Sequence, residues 1–337
     1  MPATLEPVKL RDLGEFTLIE RIERAASRSR AAGRNRAVVV GIGDDAAVLR
    51  APAGEDWVVS TDAFVEGVHF RWSTQSARCV GRRALVANLS DLAAMGARPL
   101  GFVLALAAPP SLEIRSFDGL LAGLLAVAEA HGCPLIGGNL SRARQTSLTI
   151  TAQGSVKRGR ALMRDAARPG DRIFVTGTLG GAALEVARAA AGQGRVRGVP
   201  TPRLQAGRAL TRMAGVGACI DISDGLLADL DHVLDRSGCS AELDLTSVPR
   251  PPRFEAVCRR LGVDPIRLAT RGGEDYELLF TLRGRAQRAA AGPRKPSGTA
   301  GPAVAALSRR LGVAVTEIGK VVQRASGRPK TPGWRHF

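Results

Sequence analysis

Asn88-Leu89-Ser90-Asp91-Leu92-Ala93-Ala94-Met95-Gly96 closes a helical pattern that begins at Ser76, and it sets the plan of the chain: a long helix feeding a buried strand. Gly96 is placed as the C-terminal cap and Pro99 stands just beyond it. Asn88 and Asp91 are three apart and therefore share a face. Asp91 has Leu85, Val86, Leu89, Leu92 and Ala93 around it, an apolar setting in which a carboxylate needs a cation or a donor. After the helix, Phe102 to Leu106 reads as a continuous apolar strand.

Upstream, Phe16, Ile19, Ile22 and Ala26 form a helical stripe over Glu15 to Ala26. Val38-Val39-Val40 reads as a strand running into the turn Gly41-Ile42-Gly43, and Trp57 to Ser60 as a second strand with Thr61-Asp62 at its end. Downstream, Leu120 to Ala130 is expected as a helix. Leu135-Ile136 is expected as a short strand feeding Gly137-Gly138-Asn139, and Leu148 to Ala152 as a further strand. A domain boundary is expected in the basic, aperiodic stretch Gly154 to Gly170, giving domains 1–155 and 156–337. The second begins with a strand, Ile173 to Thr176, a turn, Gly177 to Gly181, and a helix, Ala182 to Ala191. A strand Cys219 to Ile222 precedes a helix Leu226 to Arg236 closed by Gly238, and Tyr276 to Thr281 is another strand. Residues 283–303, rich in Arg, Gly, Pro and Ala, read as a flexible surface insertion. Strands and helices mix in both halves, so the fold class is α/β or α+β.

Composition narrows the function. The chain has 337 residues, 45% of them hydrophobic, with no apolar run long enough to span a membrane. Met1 to Leu13 carries Glu6 and Asp12 and lacks an apolar core, so no secretory signal is expected. Cys79, Cys133, Cys219, Cys239 and Cys258 contain no C-x-x-C pair and read as reduced, mostly buried, cytosolic thiols. The formal charge of +17 raises nucleic acid as a partner, but the arginines are scattered and aromatics are only 4% of the chain. Neither a P-loop nor the protein-kinase motif set occurs, and without histidine pairing zinc is not expected.

Against this basic background, small residues and acids gather in short modules: Gly43-Asp44-Asp45, Ser60-Thr61-Asp62, Asn88 to Asp91, Gly137-Gly138-Asn139, Asp221-Ile222-Ser223-Asp224-Gly225 and Gly272-Gly273-Glu274-Asp275. Each alone has a plain structural explanation. Asp favours turns, Ser223 and Asp224 stand where they would cap the next helix, and Glu274-Asp275 would suit an exposed loop. Together, at strand ends and helix starts, they indicate a hard cation held by a few carboxylates and by substrate phosphate. The glycine turn 177–181 lacks the Lys-Ser/Thr of a phosphate loop and is read as structural, as is His69 beside Phe70.

Read with their neighbours, the modules resemble a known family. Gly41 to Ala47, Ser60 to Asp62, Val68-His69-Phe70, Asn88 to Gly96, Ser223-Asp224-Gly225 and Gly272 to Leu278 are similar to the signature of the thiamine-monophosphate kinase family. The opening Gly14 to Ile19 and the closing Gly333-Trp334-Arg335-His336-Phe337 agree, in order, over almost the whole chain. The wider superfamily includes aminoimidazole ribonucleotide synthetase and selenophosphate synthetase. The resemblance implies a two-domain aminoimidazole ribonucleotide synthetase-like fold, with an N-terminal α/β dimerisation domain and a C-terminal α+β domain. It implies a cytoplasmic homodimer that phosphorylates thiamine monophosphate to thiamine diphosphate with ATP and Mg²⁺. By motif position, Asp45, Ser60, Thr61, Asp62, Asp91, Asn139, Asp221 and Asp224 would hold magnesium. Gly138, Asn139, Arg164 and Ser223 would contact ATP, and His69, Glu274 and Trp334 the thiamine phosphate.

The chemistry suits these residue types. A phosphomonoester with a second pKa of about 6 is already a nucleophile at neutral pH, so no dedicated base is required. Catalysis would rest on positioning and charge neutralisation. Arg164 offers a fork of donors for phosphate, and Trp334 a face for the thiazolium or pyrimidine of thiamine. The family commonly has Asp where this chain has Asn139, which costs one negative charge at a metal position. Two other readings compete: another ATP-using enzyme of the superfamily, or a basic nucleic-acid-binding protein that keeps the fold.

Overall fold

The computed structural model describes residues 7–31, 35–43, 46–50, 52–283 and 302–324. The chain divides into two compact units. One comprises Met1–Leu89, Pro99–Ser155 and Gly194–Val199, the other Ser90–Arg98, Val156–Gln193 and Pro200–Phe337. The expected insertion at 283–303 lies almost wholly outside the described residues, as do Asp45 and Trp334.

In the first unit, helix α1 (Glu15–Ser27) precedes a small antiparallel pair, β1 (Val38–Val40) and β2 (Val48–Leu49). Then come β3 (Glu55–Val65), α2 (Ala77–Ala94), β4 (Arg98–Ala108), α3 (Ile114–His131), β5 (Leu135–Arg142) and β6 (Ser147–Lys157). Four of these strands make one sheet in the order β3-β6-β4-β5. β4 and β5 run parallel, joined through α3, and pair Leu104 with Gly138 and Ala105 with Asn139. β3 and β6 run antiparallel: Glu66 meets Thr146 at one end, while Ser155 bonds Glu55 at the other. Residues 83–90 of α2 are all buried, the polar Arg83, Asn88 and Ser90 among them. Phe102, Leu104, Phe117, Leu120, Leu124, Leu148 and Ile150 supply much of this unit's core.

Two sequence expectations are corrected here. β3 does not end at Ser60 but continues to Val65, which puts Thr61 and Asp62 in mid-strand. Thr61 stays extended because its hydroxyl donates to the Ile150 carbonyl at 3.1 Å and sits 3.0 Å from the Thr151 hydroxyl. Likewise β5 runs through Gly137-Gly138-Asn139 instead of turning there. At Gly138 the strand comes so close to β4 that a Cβ would stand 2.1 Å from the Leu104 carbonyl oxygen. The glycine is there for strand approach, not for a turn.

The second unit is built on a five-stranded antiparallel sheet. In chain order its elements are β7 (Arg172–Thr176), α4 (Gly181–Ala190), α5 (Leu204–Leu210), β8 (Val216–Asp221), α6 (Leu226–Ser237), β9 (Cys239–Leu243), α7 (Phe254–Leu261), α8 (Pro265–Arg271), β10 (Leu278–Leu282), α9 (Pro302–Leu311) and β11 (Val315–Gln323). The strand order is β8-β10-β7-β11-β9. Leu279 at the centre pairs with both Val175 and Ile220, and Phe280 faces Phe174 with ring centroids 5.5 Å apart. One core joins Ile173, Val175, Ile220 and Ile318 of the sheet to Leu226, Leu230 and Val233 of α6 and Phe254 of α7. The small helices α5, α7 and α8 and the strands β9 and β11 carry no motif and went unread in the sequence. All five cysteines are buried thiols, and no described helix is long and apolar enough to cross a membrane.

Candidate active site

Within the second unit, the end of β8 delivers Asp221 and the turn behind it delivers Ser223 and Asp224 to the start of α6. Asp221 is buried and accepts a 2.7 Å hydrogen bond from the Ser90 hydroxyl, beside the half-buried Asp91. The helical string and the β8 turn therefore meet in this unit, Ser90 holding Asp221 in place. Asn88, also on α2, turns its amide back onto the Ala84 carbonyl.

The cap of α6 differs from the sequence expectation. Neither Ser223 nor Asp224 caps it: Gly225 occupies the N-cap position without a side chain to offer. The acceptor is Asp229, one turn inside the helix, whose Oδ2 takes the amides of Ser223, Asp224 and Gly225 at 3.0 to 3.1 Å. Burial and the neighbouring charges of Asp221 and Asp224 push its carboxyl up to about 8, against the pull of those amides. Capping is thus done from within the helix, which leaves the side chains of Ser223 and Asp224 unneeded for it.

The Gly272–Glu277 segment is threaded against this turn. Glu274 donates its amide to the Ser223 carbonyl at 2.7 Å, Tyr276 donates to the Ile222 carbonyl at 2.9 Å, and Ile222 donates back to the Glu277 carbonyl at 2.7 Å. Glu274 and Tyr276 have φ of 65° and 52°, a left-handed conformation that strains any residue with a Cβ. The segment is not an exposed acidic loop: Asp275, Tyr276 and Glu277 are buried, while Glu274 is half-buried. Asp275 accepts from the amides of Gly180, at 2.6 Å, and Ala182. The glycine turn 177–181 therefore spends its Gly180 amide, and the helix that follows its Ala182 amide, on the protein's own carboxylate, in keeping with the structural reading. Burial pushes Asp275 up to about 7 despite these amides. Arg164 is exposed, and its carbonyl accepts from the Ser237 hydroxyl.

In the first unit, Ser60 and Asp62 lie two apart on β3 and share a face, with Thr61 on the other side. Gly138 and Asn139 are exposed on β5, the opposite edge of the same sheet. His69 stacks on Phe64 at 5.4 Å, and its Nδ1 accepts from the Val65 amide at 3.0 Å. That bond fixes the neutral ring with its proton on Nε2. Among the described residues, no three His, Cys, Asp or Glu side chains converge as a ready-made metal cage.

Residues 43–156 match the family of AIR synthase related proteins through its N-terminal domain, and residues 168–331 through its C-terminal domain. Thiamine-monophosphate kinase of Escherichia coli K12 is 40% identical over 283 residues, covering 80% of this chain and 82% of that protein. The chain belongs to the thiamine-monophosphate kinase family. Among solved structures of that family, the Stenotrophomonas maltophilia K279a enzyme matches with a TM-score of 0.76 at 36% identity, covering 93% of this chain and 95% of that one. AaThiL complexed with AMPPCP and TMP matches with a TM-score of 0.71 at 27% identity, covering 98% of this chain and all of that one. The two-domain aminoimidazole ribonucleotide synthetase-like fold expected from the motifs is the fold of this chain.

Within the family's Gly272–Leu278 motif, the sequence drew attention to Glu274, and Asp275 and Glu277 are the buried carboxylates beside it. Glu277 accepts from Arg203 through both oxygens, at 2.5 and 2.6 Å, and from the Thr176 hydroxyl at 2.6 Å. Arg203 and Asp229 were missed altogether. Asp229 had a weak local signal, an acid in the first turn of a helix whose N-cap is glycine. Arg203 had none.

Proposed function

We propose that the chain transfers the terminal phosphoryl group of ATP to the phosphate of thiamine monophosphate, forming thiamine diphosphate and ADP, as a Mg²⁺-dependent cytoplasmic homodimer. The observation that carries the reading is the joining of Ser90-Asp91 to the Asp221–Asp224 turn, two motifs of a family to which the whole chain belongs. The related AaThiL, solved with AMPPCP and TMP together, supports ATP and thiamine monophosphate as the reacting pair. Residues 1–155 would form the metal-, ATP- and dimer-forming domain, and 156–337 the C-terminal domain.

The carboxylates fit magnesium in kind. Magnesium keeps several waters and takes one or two protein carboxylates plus substrate phosphates. Asp221 and Asp224 lie close enough to raise Asp229, a local excess of negative charge that a cation would relieve. When bound, the metal would neutralise phosphate oxygens and lower the repulsion between two anions. Asp91, Asp221 and Asp224, with Asp45, Ser60, Thr61, Asp62 and Asn139, are the proposed ligands. The Thr61 hydroxyl is already engaged with the Ile150 carbonyl on β6. Gly138, Asn139, Arg164 and Ser223 would contact ATP. His69, Glu274 and Trp334 would contact the acceptor, His69 through the proton that Val65 confines to Nε2. The acceptor phosphate is already deprotonated near neutral pH, so the protein's work is orientation and charge placement rather than proton removal.

Incubation of the purified chain with ATP, Mg²⁺ and thiamine monophosphate is expected to give thiamine diphosphate, and Asp91→Asn to lower kcat by about a hundredfold. Absence of product from the native chain, or native turnover by Asp91→Asn, refutes the assignment.

A further inference from the structure

Glu277 belongs to no proposed contact with substrate or metal, yet it is among the most heavily engaged carboxylates in the second unit. Its side chain is 6% exposed, held in a two-pronged contact by Arg203 and capped by Thr176 at the end of β7. Burying an ion pair costs several kcal/mol of lost hydration, and replacing such a pair with apolar residues is often neutral or stabilising. Stability alone is therefore a poor reason for this one. Its surroundings suggest another. Glu277 ends the segment in which Glu274 and Tyr276 are both left-handed, and its carbonyl accepts from Ile222 next to Asp221. Directly after Glu274, inside the turn, the Asp275 carboxylate is fixed to the Gly180 and Ala182 amides. A strained turn persists only where its surroundings over-determine it. Here the turn is held from within by the buried Asp275 and at its C-terminal end by the buried Glu277, while Glu274 is half-buried.

We propose that Arg203 is a positioning residue for the acceptor: by gripping Glu277 it locks the strained 274–276 turn and so aims Glu274 at the phosphate-bearing substrate. This role rests on the reading of Glu274 as a contact to thiamine monophosphate. Arg203 itself acts through Glu277 and not on a reacting atom. It is the fork that matters, because a planar guanidinium fixes both carboxylate oxygens where an ammonium fixes one. Loss of the grip would let the turn relax toward ordinary backbone angles and shift Glu274 relative to the Asp221–Asp224 turn, a displacement felt by the acceptor before ATP.

The test uses the full chain and steady-state kinetics with each substrate varied in turn. Arg203→Met is expected to raise the KM for thiamine monophosphate about ten- to a hundredfold while leaving the KM for ATP within about twofold. Arg203→Lys should fall between native and Arg203→Met. Arg203→Met combined with Glu277→Gln should keep the raised KM for thiamine monophosphate, because the grip is still missing although no buried charge is left alone. Thermal shifts caused by thiamine monophosphate alone should shrink in Arg203→Met, and those caused by AMPPCP should not. A native chain that forms no thiamine diphosphate overturns the functional reading itself. An active native chain whose Arg203 variants lose both substrates equally, or neither, overturns the positioning role alone. Where Arg203→Met fails to fold, Arg203→Lys decides by the same split between the two KM values.

Discussion

Gly177→Ala probes the Glu277 contacts without replacing any charged residue. Gly177 has φ of 58°, and a Cβ placed there would lie 1.9 Å from Glu277 Oε1 and 2.3 Å from its Cδ. Nonbonded atoms do not settle closer than about 3 Å, so the carboxylate must retreat by about 1 Å. The bonds it makes to Arg203 and Thr176 span 2.5 to 2.6 Å and do not survive such a retreat together. Separating a buried pair costs about 3 kcal/mol at the low end, and the left-handed backbone adds about 1 kcal/mol for a residue with a Cβ. For a unit of this size about 4 kcal/mol corresponds to a fall in Tm of roughly 10 °C. Gly262→Ala, also in the second unit, is the control: Gly262 has φ of 67°, but a Cβ placed there would meet nothing within 4 Å. Only the backbone cost applies there, about 1 kcal/mol, or a few degrees. Thermal unfolding followed by far-UV circular dichroism, with both variants side by side, reads the difference. Equal shifts for the two variants would mean that the Glu277 carboxylate is not held against Gly177, and the grip argued for Arg203 would fall with it.

The Asp275 carboxyl is pushed up to about 7 from 3.8, so between those pH values the folded chain keeps a proton that the unfolded chain has released. Its contribution to stability is complete below about pH 4 and declines as pH rises to about 7, by roughly 2 to 3 kcal/mol between pH 5 and pH 7.5. Asp275→Asn lacks this titration, so the stability gap between native chain and variant should move by that amount, against the native chain, in urea unfolding at the two pH values; a gap independent of pH refutes it. Asn139→Asp restores a charge at a proposed metal position, and its half-saturating Mg²⁺ concentration is expected to fall below the native one. An unchanged Mg²⁺ requirement in the thiamine diphosphate assay would remove Asn139 from the metal site.

How much of this was legible in the sequence depended on how far apart the cooperating residues lie. The helix ending at Ala94 and the strand through Phe102 to Leu106 could be read because their apolar patterns are local, and Leu85, Leu89, Leu92, Phe102, Leu104 and Leu106 are buried. β3 and β5 were read too short for a shared reason: Ser60 to Asp62 and Gly137 to Asn139 are turn-like in composition, but a neighbouring strand overrode that preference. Thr61 is kept extended by Ile150, and Gly138 is small because Leu104 is near, facts written on β6 and β4 and not in the modules themselves. The acids divide along the same line. Asp221, Asp224 and Glu274 stand out because a specific string surrounds them, and the string identifies the family without saying what holds each side chain. The holders came from elsewhere in the chain: Ser90 is 131 residues from Asp221, Gly180 is 95 from Asp275, and Arg203 is 74 from Glu277. No spacing rule reaches that far. Sequence spacing exposes the groups that would meet phosphate and metal, whereas the groups that aim them are chosen by topology, here by antiparallel pairing that brings β7, β8 and β10 side by side. Arg203 is the sharpest case, an arginine in a chain with 43 of them whose function is set entirely by the strand ends around it.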